Sequence, residues 1–104
     1  MATARKIAAP TTLKIFNLTY KVRFVDTMEA DGWCDFDRQE IVLAEGQSRE
    51  ALADTFLHET IHAVGRAMGV DWKDEESAVG TMATGLTTFW QANPGARRWW
   101  ASLL

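Results

Sequence analysis

Several features are scarce or missing in this 104-residue chain, and each scarcity narrows what the protein can be. Cys34 is the single cysteine, so no disulfide can form within the chain, and a reducing compartment is the expected environment. No apolar run approaches the ~18–20 residues that a membrane-spanning helix needs. The first ten residues lack the apolar centre of a signal peptide. The expected location is therefore the cytoplasm.

Basic charge is also in short supply. The 11 Lys and Arg residues are outnumbered by 14 Asp and Glu residues, which gives a formal net charge of −3. Phosphate binding needs a concentrated basic surface, and Arg97 and Arg98 make only a small basic spot. We therefore expect neither nucleic acid nor a membrane among the partners. The apolar share of 47% is that of an ordinary globular protein.

Local patterns divide the chain into a short arm and one domain. Residues 1–10 are small and polar, which predicts a flexible N-terminal arm, and residues 11–104 are expected to form a single domain. Apolar and polar residues alternate on both sides of Asn17, which predicts two strands joined there. Two further short strands are predicted at 33–36 and 40–44.

Two main helices are predicted to follow the strands. The first runs from Arg49 to Met68, with Ser48 as its N-cap and Gly69 just after its end. The second begins within 71–74 and ends at Asn93-Pro94, because proline cannot continue a helix. Together these elements predict an α+β fold, in which a small, mainly antiparallel sheet packs on the two helices.

The only two histidines of the chain form the motif His58-Glu59-Thr60-Ile61-His62 within the first of these helices. Residues four apart share a helix face, so the two imidazoles lie one turn apart, with Glu59 beside the first. Two neutral imidazoles at this spacing can bind one zinc ion, and Glu59 can then take the proton of a zinc-bound water. The histidines lie outside the apolar arc of the helix, which allows them to face a cleft.

A catalytic zinc needs a third protein ligand, and the chain has no third histidine. The third ligand must therefore be a carboxylate or, alternatively, Cys34. Among the downstream carboxylates, helical arithmetic favours Glu75 and Glu76 over Asp71 and Asp74, because the first two flank the apolar stripe of the second helix. Periodicity alone does not decide between Glu75 and Glu76.

From Leu13 onward the chain resembles small phage- and prophage-encoded zinc metallopeptidase-like proteins, which are related to the ImmA/IrrE group in the gluzincin branch of the zincins. The resemblance is carried by segments 41–43, 55–63 and 76–83. In that group the third zinc ligand is a Glu that opens the pattern E-x-x-A-[ND]-x-F-A, and Glu76 matches its first position. The chain departs from the rest of the pattern at Val79, Gly80 and Met82.

The resemblance implies a zincin-like metallopeptidase domain with one zinc ion, held by His58, His62 and Glu76. Glu59 would be the catalytic residue, as the general base that takes a proton from water and passes it to the leaving amine. The implied function is hydrolysis of a peptide bond in a protein or peptide substrate, inside the cytoplasm of a bacterial host cell. A protease that cleaves a repressor would share this chemistry and differ only in its target.

Thermolysin-like enzymes also use a donor that stabilises the oxyanion, and the sequence does not identify one. Tyr20 is the sole tyrosine, and Arg66 lies one turn beyond His62, but nothing in the sequence distinguishes either residue as the oxyanion donor. This gap leaves open an alternative on the same fold, a non-catalytic, zinc-stabilised binding or assembly module. A peptide substrate is expected to lie against an exposed sheet edge, supplied by 33–35 or by 41–44.

The tail of the chain is rich in tryptophan. Residues 97–104 are predicted to form a short amphipathic helix that packs on the core. The alternative is a patch for a protein partner, formed by Trp99 and Trp100.

Overall fold

The structure is a computed structural model that describes residues 6–104, and these residues form four strands and three helices. The strands are β1 (Thr12–Ile15), β2 (Leu18–Val25), β3 (Gly32–Asp35) and β4 (Glu40–Ala44). The helices are α1 (Arg49–Met68), α2 (Glu75–Ala92) and α3 (Pro94–Ser102). The α+β architecture predicted from the sequence is confirmed.

All four strands belong to one mixed sheet, in the order β1-β2-β4-β3. β1 pairs with β2 and β3 pairs with β4 in the antiparallel sense, whereas β2 and β4 are parallel neighbours. The sheet is therefore mainly antiparallel, as predicted, with one parallel pairing in its middle. Because β4 lies inside the sheet, its Ile41, Val42 and Leu43 are completely buried. β3 is left at the edge.

The hydrophobic core lies between the sheet and α1. Tyr20 of β2 and Phe56 of α1 are among its largest fully buried side chains, and burial of one such side chain stabilises the fold by about 1.5–3 kcal/mol. Trp99 of α3 packs at one end of this core, where its ring stands edge-on to the ring of Phe56 with the centroids 5.2 Å apart. The core holds α1 firmly against the sheet and leaves the opposite side of that helix exposed.

Helix α1 begins and ends where the sequence predicted. The hydroxyl of Ser48 accepts a hydrogen bond from the backbone N–H of Ala51, which caps the first turn. Gly69 adopts the left-handed conformation at φ 63°, and its N–H bonds to the carbonyls of the last turn. These two local signals fix the helix that carries the histidine motif.

Asn93 joins α2 to α3 and also clamps strand β1. Its Oδ1 accepts a hydrogen bond from the backbone N–H of Lys14, and its Nδ2 donates to the carbonyl of Lys14, both at 2.8 Å. Lys14 directs these two groups away from β2, so the side chain of Asn93 takes the place that a neighbouring strand would occupy. The β1 edge of the sheet is thereby covered at Lys14.

The C-terminal tryptophans pack on the fold itself. Trp99 is 5% exposed, and the indole N–H of Trp100 donates to the carbonyl of Ala53 on α1 at 2.9 Å. Packing on the core is thus confirmed, while a role of this segment in binding a partner stays a prediction. None of the helices within residues 6–104 is both long and apolar enough to cross a bilayer.

The predicted N-terminal arm lies partly outside the described residues, which begin at position 6. Residues 6–10 have no helix or strand, and Ala9 packs against the core.

Candidate metal centre

The histidine motif lies in the middle of α1, and its two histidines are on the side that the core leaves free. His58 and His62 are exposed, while Glu59 between them is buried, with 7% of its surface accessible. The Nε2 atoms of the two imidazoles are 3.2 Å apart. The predicted convergence of His58, Glu59 and His62 is therefore present: one ligand atom from each lies within 4.8 Å of the others.

The spacing of the imidazoles suits one zinc ion. Zinc binds imidazole nitrogen at ~2.0–2.1 Å in a tetrahedral arrangement, which sets two such nitrogens roughly 3.3–3.4 Å apart. The observed 3.2 Å matches this span. Within residues 6–104, these three residues are also the single group of His, Cys, Asp or Glu whose ligand atoms are close enough to share an ion. The two imidazole nitrogens are therefore placed to bind one metal ion.

Glu59 sits in an environment that makes its carboxylate a stronger base than usual. Burial raises the pKa of Glu59, and the neighbouring His58 and His62 lower it by a smaller amount. A general base works best when its pKa lies closer to the working pH than that of a solvated carboxylate. The burial of Glu59 therefore suits the role of proton acceptor.

The third metal ligand is not settled by this arrangement. Glu76, which the resemblance implies, is exposed in the first turn of α2 and does not belong to the close group on α1. Glu75 lines an apolar groove together with Ile61 and Met82, also outside that group. Glu76 as the third ligand stays a prediction.

Cys34, the other alternative, is packed against the hydrophobic core from strand β3. Burial raises the pKa of its thiol to about 12, with smaller contributions from the negative charges of Glu59 and Asp35. A metal ligand must be a thiolate, so this environment disfavours Cys34 in that role.

Strand β3 runs close beside the motif because it contains Gly32. A Cβ atom at Gly32 would lie 2.8 Å from Cγ2 of Thr55 and 2.8 Å from the carbonyl oxygen of Val42, which leaves no room for a side chain. The same atom would lie 3.6 Å from Cγ of Glu59. The absence of a side chain thus lets the edge strand approach α1 directly beside the candidate base.

The backbone of β3 is available for pairing on its outer side. The N–H of Ala44 bonds to the carbonyl of Asp31, which makes Gly32 and Leu43 a non-hydrogen-bonded pair of the antiparallel ladder. In this register Gly32 and Cys34 direct their N–H and C=O groups away from β4. The expectation of an exposed edge at 33–35 is confirmed, and the expectation at 41–44 is wrong, because β4 is an interior strand.

Gln47 ties the start of β3 to α1, and the sequence analysis missed it. Its Nε2 donates to the carbonyls of Asp31 and Ala44, both at 3.0 Å, and its Oε1 lies 2.8 Å from the hydroxyl of Thr55. Thr55 is one helical turn before Glu59. No local pattern identifies Gln47, because its partners come from three separate segments of the chain.

A small cavity of about 260 Å³ opens between the start of β3 and α1. Two residues of the motif, His58 and Glu59, form part of its wall. Two further carboxylates, Asp31 and Asp54, also line it, and both are exposed. Asp54 could have been found in the sequence, because it lies four residues before His58 and so shares its helix face.

The two residues considered as oxyanion donors take different positions. Tyr20 is 2% exposed and burial raises the pKa of its hydroxyl, so it belongs mainly to the core. Arg66 is exposed one turn beyond His62, and its guanidinium carbon lies 4.8 Å from the centre of the Phe36 ring. Neither contacts the histidine pair through a hydrogen bond, and the donor stays unassigned.

In comparisons with known proteins, no family model, no curated protein and no solved structure matches the chain. The resemblance to the ImmA/IrrE group therefore stays a prediction.

Proposed function

We propose that this chain is a zinc-dependent peptidase of phage or prophage type, which hydrolyses a peptide or protein inside a bacterial cell. One observation carries the proposal: two imidazole nitrogens lie 3.2 Å apart on α1, directly beside a buried carboxylate. This arrangement supplies two of the three protein ligands of a catalytic zinc, together with a base that does not itself need to bind the metal.

In this proposal His58 and His62 hold the zinc ion, with Glu76 as the third ligand. Zinc, when bound, supplies Lewis acidity that makes water a nucleophile near neutral pH and polarises a carbonyl group. The carboxylate of Glu59 accepts the proton of the attacking water and then donates it to the leaving amine. Burial raises the pKa of Glu59, which suits a group that must both accept and donate a proton.

The edge of β3 supports a peptide as the substrate. Among residues 6–104 no strand pairs with the outer side of β3, where Gly32 and Cys34 direct their backbone N–H and C=O groups, so an extended peptide can pair with them as an added strand. Gly32 also lies beside Glu59. A peptide paired along β3 would therefore pass next to the motif, and its side chains would alternate toward and away from α1.

The proposal is tested with zinc-loaded protein and a mixture of unstructured peptides, whose cleavage is followed by mass spectrometry. The wild-type chain should cleave, and Glu59→Gln should bind one zinc ion as the wild type does but lose cleavage by a factor on the order of 10²–10⁴. Glu50→Gln, on the first turn of the same helix, serves as the matched control and should retain cleavage. Equal cleavage by Glu59→Gln would remove the base from the mechanism.

A non-catalytic, zinc-stabilised binding or assembly module is the second candidate. It is favoured by the unassigned oxyanion donor, because within residues 6–104 neither the buried Tyr20 nor Arg66 makes a hydrogen bond to the histidine pair. Zinc bound at full stoichiometry without cleavage of any peptide, with all four metal positions filled by protein, would support this module. A position open to water would support the peptidase.

A further inference from the structure

A cavity of about 550 Å³ opens beside the N-terminal segment of residues 6–9, and we call it the N-terminal cavity. Its other walls come from β2, from the start of α1 and from α3. No residue of the histidine motif lines it. Its volume lies in the range of about 300–1,000 Å³ that is usual for small-molecule sites. The proposed peptidase makes no use of this cavity.

The interior of the N-terminal cavity is apolar. Trp99 and Leu103 of α3 line it and are 5% and 8% exposed. Phe24 of β2 stands edge-on to Trp99, with the ring centroids 6.5 Å apart. Leu52 and Ile7 add aliphatic walls. A hydrocarbon chain placed against these side chains would be removed from water, which favours binding in proportion to the apolar area covered.

Gln47 is a polar residue of the wall, but its amide is already engaged. Its Nε2 donates to the carbonyls of Asp31 and Ala44, and its Oε1 accepts from the hydroxyl of Thr55. A buried water molecule needs about two to four polar partners. Gln47 therefore offers little to water in the cavity, and the wall favours an apolar occupant.

Two cations line the same cavity where it meets solvent. Lys6 and Arg49 are both exposed, and among residues 6–104 no aspartate or glutamate contributes to the lining. The ion pairs found within this part of the chain involve neither residue. Ammonium and guanidinium groups form their strongest hydrogen bonds with anions such as carboxylates. The opening of the cavity is therefore complementary to an anionic group.

We propose that the N-terminal cavity binds an acyl carboxylate, the anion of a fatty acid. Its hydrocarbon chain lies against Phe24, Leu52 and Trp99, and its carboxylate lies at the opening, between Lys6 and Arg49. An uncharged hydrocarbon would leave both cations without a partner, and a small anion would leave the apolar walls in contact with water. The cavity shares no residue with the histidine motif, so this inference does not rest on the proposed peptidase function.

Binding to the full chain is measured by isothermal titration calorimetry with three probes: decanoate, octanoate and 1-decanol. EDTA is present throughout, so that no carboxylate can bind through a metal ion at the histidine motif. Decanoate should bind about 5- to 10-fold more tightly than 1-decanol, as expected for two exposed cations. It should bind about 15-fold more tightly than octanoate, because two further methylene groups are buried.

Four exposed cations and one exposed apolar residue allow the site to be located without disturbing the core. Lys6→Gln/Arg49→Gln should reduce the affinity for decanoate to that for 1-decanol. Lys21→Gln/Arg97→Gln removes two exposed cations outside the cavity and is the matched control, with unchanged affinity for decanoate. Ile7→Ser removes an apolar wall and should weaken decanoate and 1-decanol alike.

Three results would overturn the inference. The first is no binding of decanoate by the wild-type chain. The second is an affinity for decanoate that Lys6→Gln/Arg49→Gln leaves unchanged, or that the control double variant lowers equally, since either would separate binding from the two cations of the cavity. The third is equal affinity for octanoate and decanoate, which would remove the apolar interior from the site.

Discussion

Gly32 lies so close to Thr55 that a methyl group at Gly32 would come within 2.8 Å of Cγ2 of Thr55. The carbonyl oxygen of Val42 blocks the same space from the sheet, so the neighbours cannot simply move aside. The close approach of β3 to α1 therefore depends on the absence of one carbon atom. This close approach sets the distance between the edge of β3 and Glu59.

Gly32→Ala should accordingly destabilise the protein by about 1–3 kcal/mol, the usual cost of inserting a methyl group into a filled site. Urea denaturation of the two proteins measures this difference. Gly95→Ala is the matched control, because nothing lies within 4 Å of a Cβ atom at Gly95. Equal losses in the two variants would show that contact with Thr55 and Val42 is not the cause.

Zinc should stabilise the folded chain through His58 and His62. At a zinc concentration 100 times the Kd, binding adds about 2.7 kcal/mol, which corresponds to a rise in Tm of about 10 °C or more for a domain of this size. His62→Ala should abolish the rise, and Glu50→Gln should keep it. Thermal unfolding with and without zinc gives the result, and a rise that survives His62→Ala would refute this site.

Glu76 and Glu75 form a natural pair for testing the third ligand, since they are adjacent on the first turn of α2. Loss of a supporting group around a metal ligand weakens binding by 10–100-fold, so loss of a ligand should cost at least roughly 100-fold. Glu76→Ala should weaken zinc binding by that amount, and Glu75→Ala should leave it within a few-fold. Competition with a chromophoric chelator measures both affinities, and the reverse pattern would transfer the role to Glu75.

Cys34 should resist alkylation while the protein is folded. Burial raises the pKa of its thiol to about 12 from an unfolded value of 9.0, and only the thiolate reacts. At pH 8 the folded chain should therefore react with iodoacetamide about 1000-fold more slowly than the chain in urea. Similar rates in the two states would contradict the raised pKa.

The raised pKa of Cys34 also makes the stability of the folded chain depend on pH. The neutral thiol is favoured in the folded state, so its contribution is complete below pH 9 and is lost as the pH rises toward 12. In Cys34→Ala, the part of the decrease in the free energy of unfolding above pH 9 that comes from this thiol should be absent. Urea denaturation at pH 8 and pH 10.5 compares the two proteins.

The parts of the fold that follow from neighbouring residues were predictable from the sequence. Helix α1 has Ser48 and Gly69 as its boundary signals, and the motif follows from the spacing of His58 and His62 along one helix. The parallel pairing of β2 with β4 was not predicted, because alternation identifies strands but contains no information on their order.

Within the candidate site, too, local features were predictable and contacts between distant segments were not. Gln47 and the contact of Gly32 with Thr55 join segments that are distant in sequence, so no local pattern reveals them. Periodicity places Glu76 on a face of its own helix but does not fix its distance from α1. That distance depends on how two helices cross, which packing determines.

The clamp between Asn93 and Lys14 decides how copies of this protein could associate through their sheets. Were both edges free, one molecule could pair through β1 with the β3 of the next, and the chain of molecules would have no end. With β1 covered at Lys14, the remaining edge can pair only with its equivalent in a second copy. Such pairing closes after two molecules, so the fold permits a symmetric dimer and opposes the growth of filaments.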